Sequence, residues 1–183
     1  MRIISGKFKG RVLQRPPESI TRPTTDRVRE SIFNILLHLD GFSFEGAYVL
    51  DVFAGSGAMG LEALSRGAEQ VIFVDKNPVA RQVITQNIHY LKVEDKGHIV
   101  SYDALNLPEA SKPADLIFID PPYFQELELK VLAQLNLKYW IKQGTIIVLE
   151  TSKNTILEFP GEEFLLLTSR IFSSTTISIL RKT

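Results

Sequence analysis

The chain has no cysteine, and that single absence removes several chemistries. Disulfides, thiolate zinc sites, iron–sulfur clusters and a cysteine nucleophile are all excluded. Histidine is scarce as well. His38, His89 and His98 share no i, i+4 spacing and no HExxH-like context, so no metal site is expected. No run approaches the ~18 apolar residues of a membrane helix, and the opening "MRIISGKFKG" has no apolar stretch of the signal-peptide kind. A cytoplasmic protein is expected. Internal repeats and low-complexity segments are also missing.

What is present suits one soluble domain. At 183 residues, 44% of them hydrophobic, the chain can bury a proper core. Its formal net charge of zero conceals an asymmetry. Residues 1–29 hold eight Lys/Arg (Arg2, Lys7, Lys9, Arg11, Arg15, Arg22, Arg27, Arg29) against two acids, Glu18 and Asp26, a net +6; the rest holds 13 basic against 19 acidic residues, a net −6. Either this basic arm meets a polyanion or it is a solvated terminus.

Two units are expected: a basic β extension with its connector over 1–23, and a larger α/β domain over 24–183. Residues 2–15 read as short strands or a hairpin broken by Gly6 and Gly10, and "RPPESITRP" (15–23) as an extended connector. From Thr24 the period becomes helical, with Val28, Ile32, Ile35, Leu36 and Leu39 on one face, Thr24 or Thr25 as cap and Gly41 past the end. Apolar runs at 48–53, 71–75, 98–103, 115–120 and 145–150 then alternate with helical patterns at 58–65, 78–91 and 126–137. Near-continuous apolar strands separated by helices predict a mostly parallel sheet covered on both faces. The ending differs: "FLLLTSRIF" (164–172) and "TTISILR" (175–181), split only by Ser173-Ser174, predict an antiparallel hairpin.

Two motifs carry chemistry. In "DVFAGSGAMG", Gly55, Gly57 and Gly60 match G-x-G-x-x-G between a strand and a helix, and Asp75 follows Gly55 by 20 residues. The expression alone would say NAD. Asp51, however, lies where its charge would oppose a pyrophosphate, and it suits a ligand with an ammonium or sulfonium cation instead. S-adenosylmethionine has an amino-acid head group and a ribose, and Asp51 and Asp75 offer a partner for each. Asp103, with Ala104 after it, falls where an adenine edge would lie.

The second motif is "IFIDPPYF" (117–124). Asp51, Asp75, Asp103 and Asp120 are all expected at strand carboxyl ends, the rim where open parallel sheets bind ligands. An exocyclic amine is a poor nucleophile because its lone pair is delocalised. A carboxylate and a proline carbonyl, at Asp120 and Pro121, can accept its two N–H bonds. An aromatic beside them, Tyr123, can stack on a base swung out of its helix. Without cysteine, carbon-5 methylation of pyrimidines through a covalent adduct is excluded, so direct transfer to nitrogen or oxygen remains.

The segments "DVFAGSGAMGLEALSRGA", "FVDKNP" and "LIFIDPPY" resemble the adenosylmethionine-dependent amino methyltransferases. "RIISGKFKGRVL" and "TRPTTDRVRESIFNIL" resemble one branch, the RsmD family of 16S ribosomal RNA guanine-N2 methyltransferases. The likeness covers roughly residues 2–124 and is weak beyond. It implies a Rossmann-like class I methyltransferase with a mostly parallel seven-stranded sheet, a C-terminal antiparallel hairpin and a small N-terminal β extension. It also implies S-adenosylmethionine as cofactor, held by Asp51, Gly55, Gly57, Asp75, Asp103 and Ala104, with Asp120, Pro121 and Tyr123 at the target amine. Many relatives carry Glu where this chain has Asp75; the shorter acid should still reach the ribose hydroxyls. Arg2, Lys7, Lys9, Arg11, Arg22 and Arg27 would grip 16S ribosomal RNA, within a partly assembled small subunit, and the protein would be a monomer. Rival expectations are an adenine-N6 methyltransferase on DNA or RNA, a glutamine-N5 protein methyltransferase (which usually carries Asn in the place of Asp120), an RNA-binding module without turnover, and an NAD-dependent dehydrogenase.

Overall fold

The computed structural model describes residues 1–17, 25–122, 127–153, 155 and 163–183. At its centre β1 (Tyr48–Val52) is buried at all five positions, as a strand covered on both faces must be. It pairs in parallel with β2 (Gln70–Val74) on one side and β4 (Ala114–Ile119) on the other, and β3 (Gly97–Val100) continues the parallel ladder beyond β2. β5 (Ile141–Ser152) is parallel to β4. The chain then reverses: β7 (Thr175–Lys182) runs antiparallel to β5, and β6 (Phe164–Phe172) forms the edge against β7. The order β3-β2-β1-β4-β5-β7-β6 is a seven-stranded, mostly parallel sheet with a C-terminal antiparallel hairpin. Its topological switch point lies between β1 and β4, where such sheets open a crevice.

The helices begin where short polar side chains can satisfy free N–H groups. Thr25 caps α1 (Asp26–Leu37) by accepting from the Val28 N–H at 3.3 Å. Asn77 caps α3 (Pro78–Leu91), accepting from Val79 at 2.9 Å, with Pro78 at the first helical position. α1, α2 (Ala58–Ser65) and α3 bury Phe33, Leu61 and Ile84 with Val49, Phe118, Val148 and Ile179 on one face of the sheet. On the other face α4 (Glu128–Leu137) packs Val131, Leu132 and Leu135 against Leu50, Ile117 and Ile147.

The observed bounds of α2 and α3 coincide with the expected ones, and the hairpin turns at Ser173-Ser174. Elsewhere there are differences with local causes. β5 begins at Ile141 rather than at 145, because Gly144 (φ +85°) lets the strand bend at a register shift against β4 and carry on. β3 ends at Val100, so Asp103 is not a strand tip; it caps a 3-10 turn at Ala104–Asn106. Asp51 sits within β1, one residue short of its end. The arm is not a hairpin of strands either. It makes one antiparallel bridge, Arg2 to Val12, and otherwise bends through turns, while Ile3, Phe8 and Leu13 enter the same core as α1 and α2. The expected connector over 15–23 falls largely outside the described residues, as does residue 126 of the expected 126–137 helix, which begins at Glu128 after Leu127.

Candidate active site

The carboxyl ends of four strands are stitched together by main-chain hydrogen bonds. Ala54 N–H donates to Val74 O (3.1 Å), Asp75 N–H to Val100 O (3.4 Å) and Asp120 N–H to Val52 O (3.5 Å). The turns after β1, β2 and β4 therefore share one rim, and they bring Gly55, Gly57, Asp75, Asp120 and Pro121 together. The turn after β1 is tightly wound: Gly57 N–H donates to Ala54 O at 2.7 Å, and Phe53, a bulky residue, is held at φ +62°. Left-handed backbone at such a residue is costly, and persists where surrounding bonds over-determine it. Gly57 itself adopts φ +76° at the helix start, which favours glycine. Gly60 is needed for a different reason. A Cβ there would lie 2.4 Å from the ring of Phe73, so only glycine lets α2 press onto β2.

The two acids nearest this turn live in opposite environments. Asp51 is buried, and its Oδ2 accepts the Gly60 N–H at 2.9 Å. Burial pushes its pKa up to about 7; the Gly60 N–H opposes this and the neighbouring charge of Asp75 adds to it. A carboxyl in this state can take a proton or an external cation. Asp75 is partly exposed. Its Oδ2 accepts from Gly55 N–H (2.9 Å) and its Oδ1 from Asn77 N–H (2.8 Å), so the carboxylate is fixed at the mouth of the glycine turn, each oxygen keeping a lone pair for a hydroxyl donor. Asp103 stands one strand further along. It accepts from Leu105 N–H (3.0 Å), which holds its carboxyl below the usual range, and it pairs with Lys76 at 3.2 Å; Ala104 behind it is buried. Asp120 is half-buried and Pro121 buried. Tyr123 lies outside the described residues, as does Arg22.

Arg2, Lys7, Lys9, Arg11 and Arg27 are exposed. Arg2 pairs with Asp26 at 3.7 Å, Lys7 lies over the Phe8 ring and Arg11 over the Tyr90 ring (5.5 Å), and Lys9 and Arg27 face solvent. Arg29, two residues on, is buried and donates to Arg2 O and to Asp26.

Two residues that sequence reasoning passed over hold the arm against this rim. Glu62, fully buried, accepts the N–H groups of Ile4 (2.7 Å) and Ser5 (3.0 Å) and pairs with Arg66 (2.9 Å). Asn87, also buried, accepts from Gln14 N–H (2.8 Å) and donates to Gln14 O (3.1 Å) and Ser56 O (3.0 Å). The available signal was an unexplained polar residue on an otherwise apolar helix face, since a buried acid or amide must have partners.

A family described as "Conserved hypothetical protein 95" matches residues 1–181. The chain belongs to that family. The match corrects the reach of the expected resemblance, which extends through the C-terminal hairpin rather than fading after residue 124. YlbH of Bacillus subtilis is 37% identical over the whole of this chain and 99% of its own. The Escherichia coli "Ribosomal RNA small subunit methyltransferase D" is 36% identical, over 82% of this chain and 74% of its own. Among solved structures, yhhF of Escherichia coli superposes with a TM-score of 0.87 at 31% identity, covering all of this chain and 97% of that one. The sheet is that of the class I methyltransferases.

Proposed function

We propose that this family member is an S-adenosylmethionine-dependent methyltransferase of small-subunit ribosomal RNA, and that it methylates the exocyclic N2 amine of a guanine. The observation that carries the reading is the glycine turn with Asp51 behind it, Asp75 across its mouth, and Asp120 hydrogen-bonded to the same strand end. The names of relatives such as the Escherichia coli protein support the class and the RNA; the amine is inferred from the chemistry of the site.

The donor set fits the cofactor. Asp51, already inclined to hold a proton, matches an ammonium group, and Asp75 has lone pairs for ribose hydroxyls. Gly55 and Gly57, at φ +56° and +76°, would turn the backbone around the methionine part of the cofactor, and Asp103 with Ala104 would border the adenine. The bound cofactor supplies a sulfonium-activated methyl group. Asp120 and the Pro121 carbonyl would accept the two N–H bonds of the target amine, orienting its lone pair for in-line displacement. As the amine takes the methyl group and the sulfonium leaves as a neutral thioether, positive charge would grow on nitrogen beside the Asp120 carboxylate, and the proton then lost would pass to solvent. Tyr123 would stack on the base. The arm residues Arg2, Lys7, Lys9, Arg11, Arg22 and Arg27 would hold phosphates, on RNA within a partly assembled subunit, with the protein acting as a cytoplasmic monomer.

Nucleoside mass spectrometry of small-subunit ribosomal RNA, from cells with and without the gene, tests the reading. One N2-methylguanosine should vanish on deletion. A missing N6-methyladenosine would instead select the adenine reading, and an unchanged nucleoside pattern would sink both.

A further inference from the structure

α1 buries Ile32, Phe33 and Leu36 and leaves a polar flank, Arg27, Ser31, Asn34 and His38, at helical spacing. That flank does not face open solvent alone. Together with the outer edge of the sheet it forms a groove of about 630 Å³, whose far wall carries Thr168 and Arg170 of β6. Arginines thus stand on opposite walls, with His38 further along the helix and Glu30 the one acid among the described lining residues. Arg170 belongs to the body after residue 29, which is acidic at a net −6, and Arg27 to the basic first 29 residues; the groove sets one arginine from each against Glu30.

Register fixes where the groove sits relative to the chemistry. Ile119 pairs with Leu149, which puts Asp120 level with Glu150; Glu150 pairs with Ile177, and Ile177 with Arg170. Arg170 is therefore level with Asp120, three strands away, or about 14 Å at ~4.8 Å per strand. Phe118 and Ile177 both point to the α1 side of the sheet, and by the two-residue period Asp120 and Arg170 leave from that same face.

We infer that this groove seats the phosphodiester backbone of the RNA strand flanking the target nucleotide, with Arg27 and Arg170 each contacting phosphate. Ser31, Asn34 and Thr168 supply neutral groups that bond phosphate or sugar oxygens. Charge complementarity selects the occupant. The inference rests on the RNA methyltransferase reading and extends it: RNA is held on both sides of the rim, by Arg2, Lys7, Lys9 and Arg11 of the arm and by the groove at the opposite sheet edge, where Arg27, counted above with the arm, is joined by Arg170.

The test uses the full chain and unmethylated small-subunit ribosomal RNA transcribed in vitro, with binding measured across a salt series. Each phosphate contact on a single strand contributes about 0.7 to the slope of log affinity against log salt. Arg170→Ala alone should make the slope shallower by about 0.7, and Arg27→Ala with it by about 1.4, which weakens binding about 25-fold at ~0.1 M salt relative to ~1 M. Both side chains are exposed, so melting temperature and adenosylmethionine affinity should not change. Lys130→Ala, exposed on α4 across the sheet, should leave the slope alone. An unchanged slope in the double variant, with wild type binding normally, overturns the groove and leaves the methyltransferase reading standing. Weaker binding only to protein-bearing subunits would assign the groove to a ribosomal protein and overturn it too. Failure of the wild-type chain to bind RNA would overturn both readings.

Discussion

On the parallel half of the sheet, β2, β1 and β4 run into turns knotted to one another by main-chain hydrogen bonds, and Asp75, the glycine turn and Asp120 emerge from them. On the antiparallel half, β7 and β6 meet in a two-serine turn, and the edge leaves Leu165, Leu166 and Ile171 exposed. Strand length also differs, four to six residues in β1–β4 against nine in β6 and eight in β7, but length alone brings no groups together. The difference that matters lies in direction: parallel neighbours send successive turns to the same rim, where groups from separate parts of the chain converge, whereas a hairpin pairs residues that are already neighbours. Chemistry collects on the first half, and the second offers surface.

That contrast can be broken by substitution. The largest effect is expected at Asp120→Ala. Losing a preorganised partner of the transition state should lower kcat by about 10²–10³, while adenosylmethionine binding by calorimetry stays near wild type. Near-normal turnover would remove Asp120 from the reaction. Next comes Gly60→Ala, whose added methyl collides with Phe73 in the parallel half; overpacking of this kind should cost about 1–3 kcal/mol in urea unfolding.

A third expectation concerns pH. Asp51 has a folded pKa of about 7 against an ordinary 3.8, so between these values the folded state binds more protons than the unfolded. This group's contribution to stability is full below about 4 and is lost as pH rises through about 7. Affinity for an ammonium-bearing cofactor should run the other way, weakening up to tenfold per pH unit below about 7. Asp51→Asn should flatten both trends, and a wild-type affinity that does not vary between pH 5.5 and 8 would count against Asp51 as the cation's partner. The smallest effect is expected on the open edge: Ile171→Ser should change stability by no more than about 0.5 kcal/mol.

How much of this was legible beforehand depends on whether the signal is local. The α2 and α3 bounds were readable because a glycine turn, a Pro78 start and a helical apolar period are all short-range cues. The sheet direction followed from uninterrupted apolar runs. The placing of Asp103 was less well read, since apolar spacing does not separate a strand tip from the cap of a following turn. Arg27 and Arg29 look alike in sequence, yet one is exposed and the other buried against Arg2 O. Helical spacing puts Arg29 on the face of Ile32, Phe33 and Leu36, but its partner on the arm has no local signal. The arm partners of Glu62 lie 58 and 57 residues away and that of Asn87 lies 73 away, beyond any spacing argument.

The bonds made by Asn87 bear on how this protein can be dissected. Removing residues 1–14 to ask whether the basic arm holds RNA would strip Glu62 of two donors and Asn87 of two of its three bonds. The loss would reach Ser56, in the middle of the glycine turn. A truncated enzyme would therefore fail at cofactor capture and at RNA capture together, and its inactivity would report on neither. Charge-neutralising substitutions at Lys7, Lys9 and Arg11 keep the scaffold whole and separate the two.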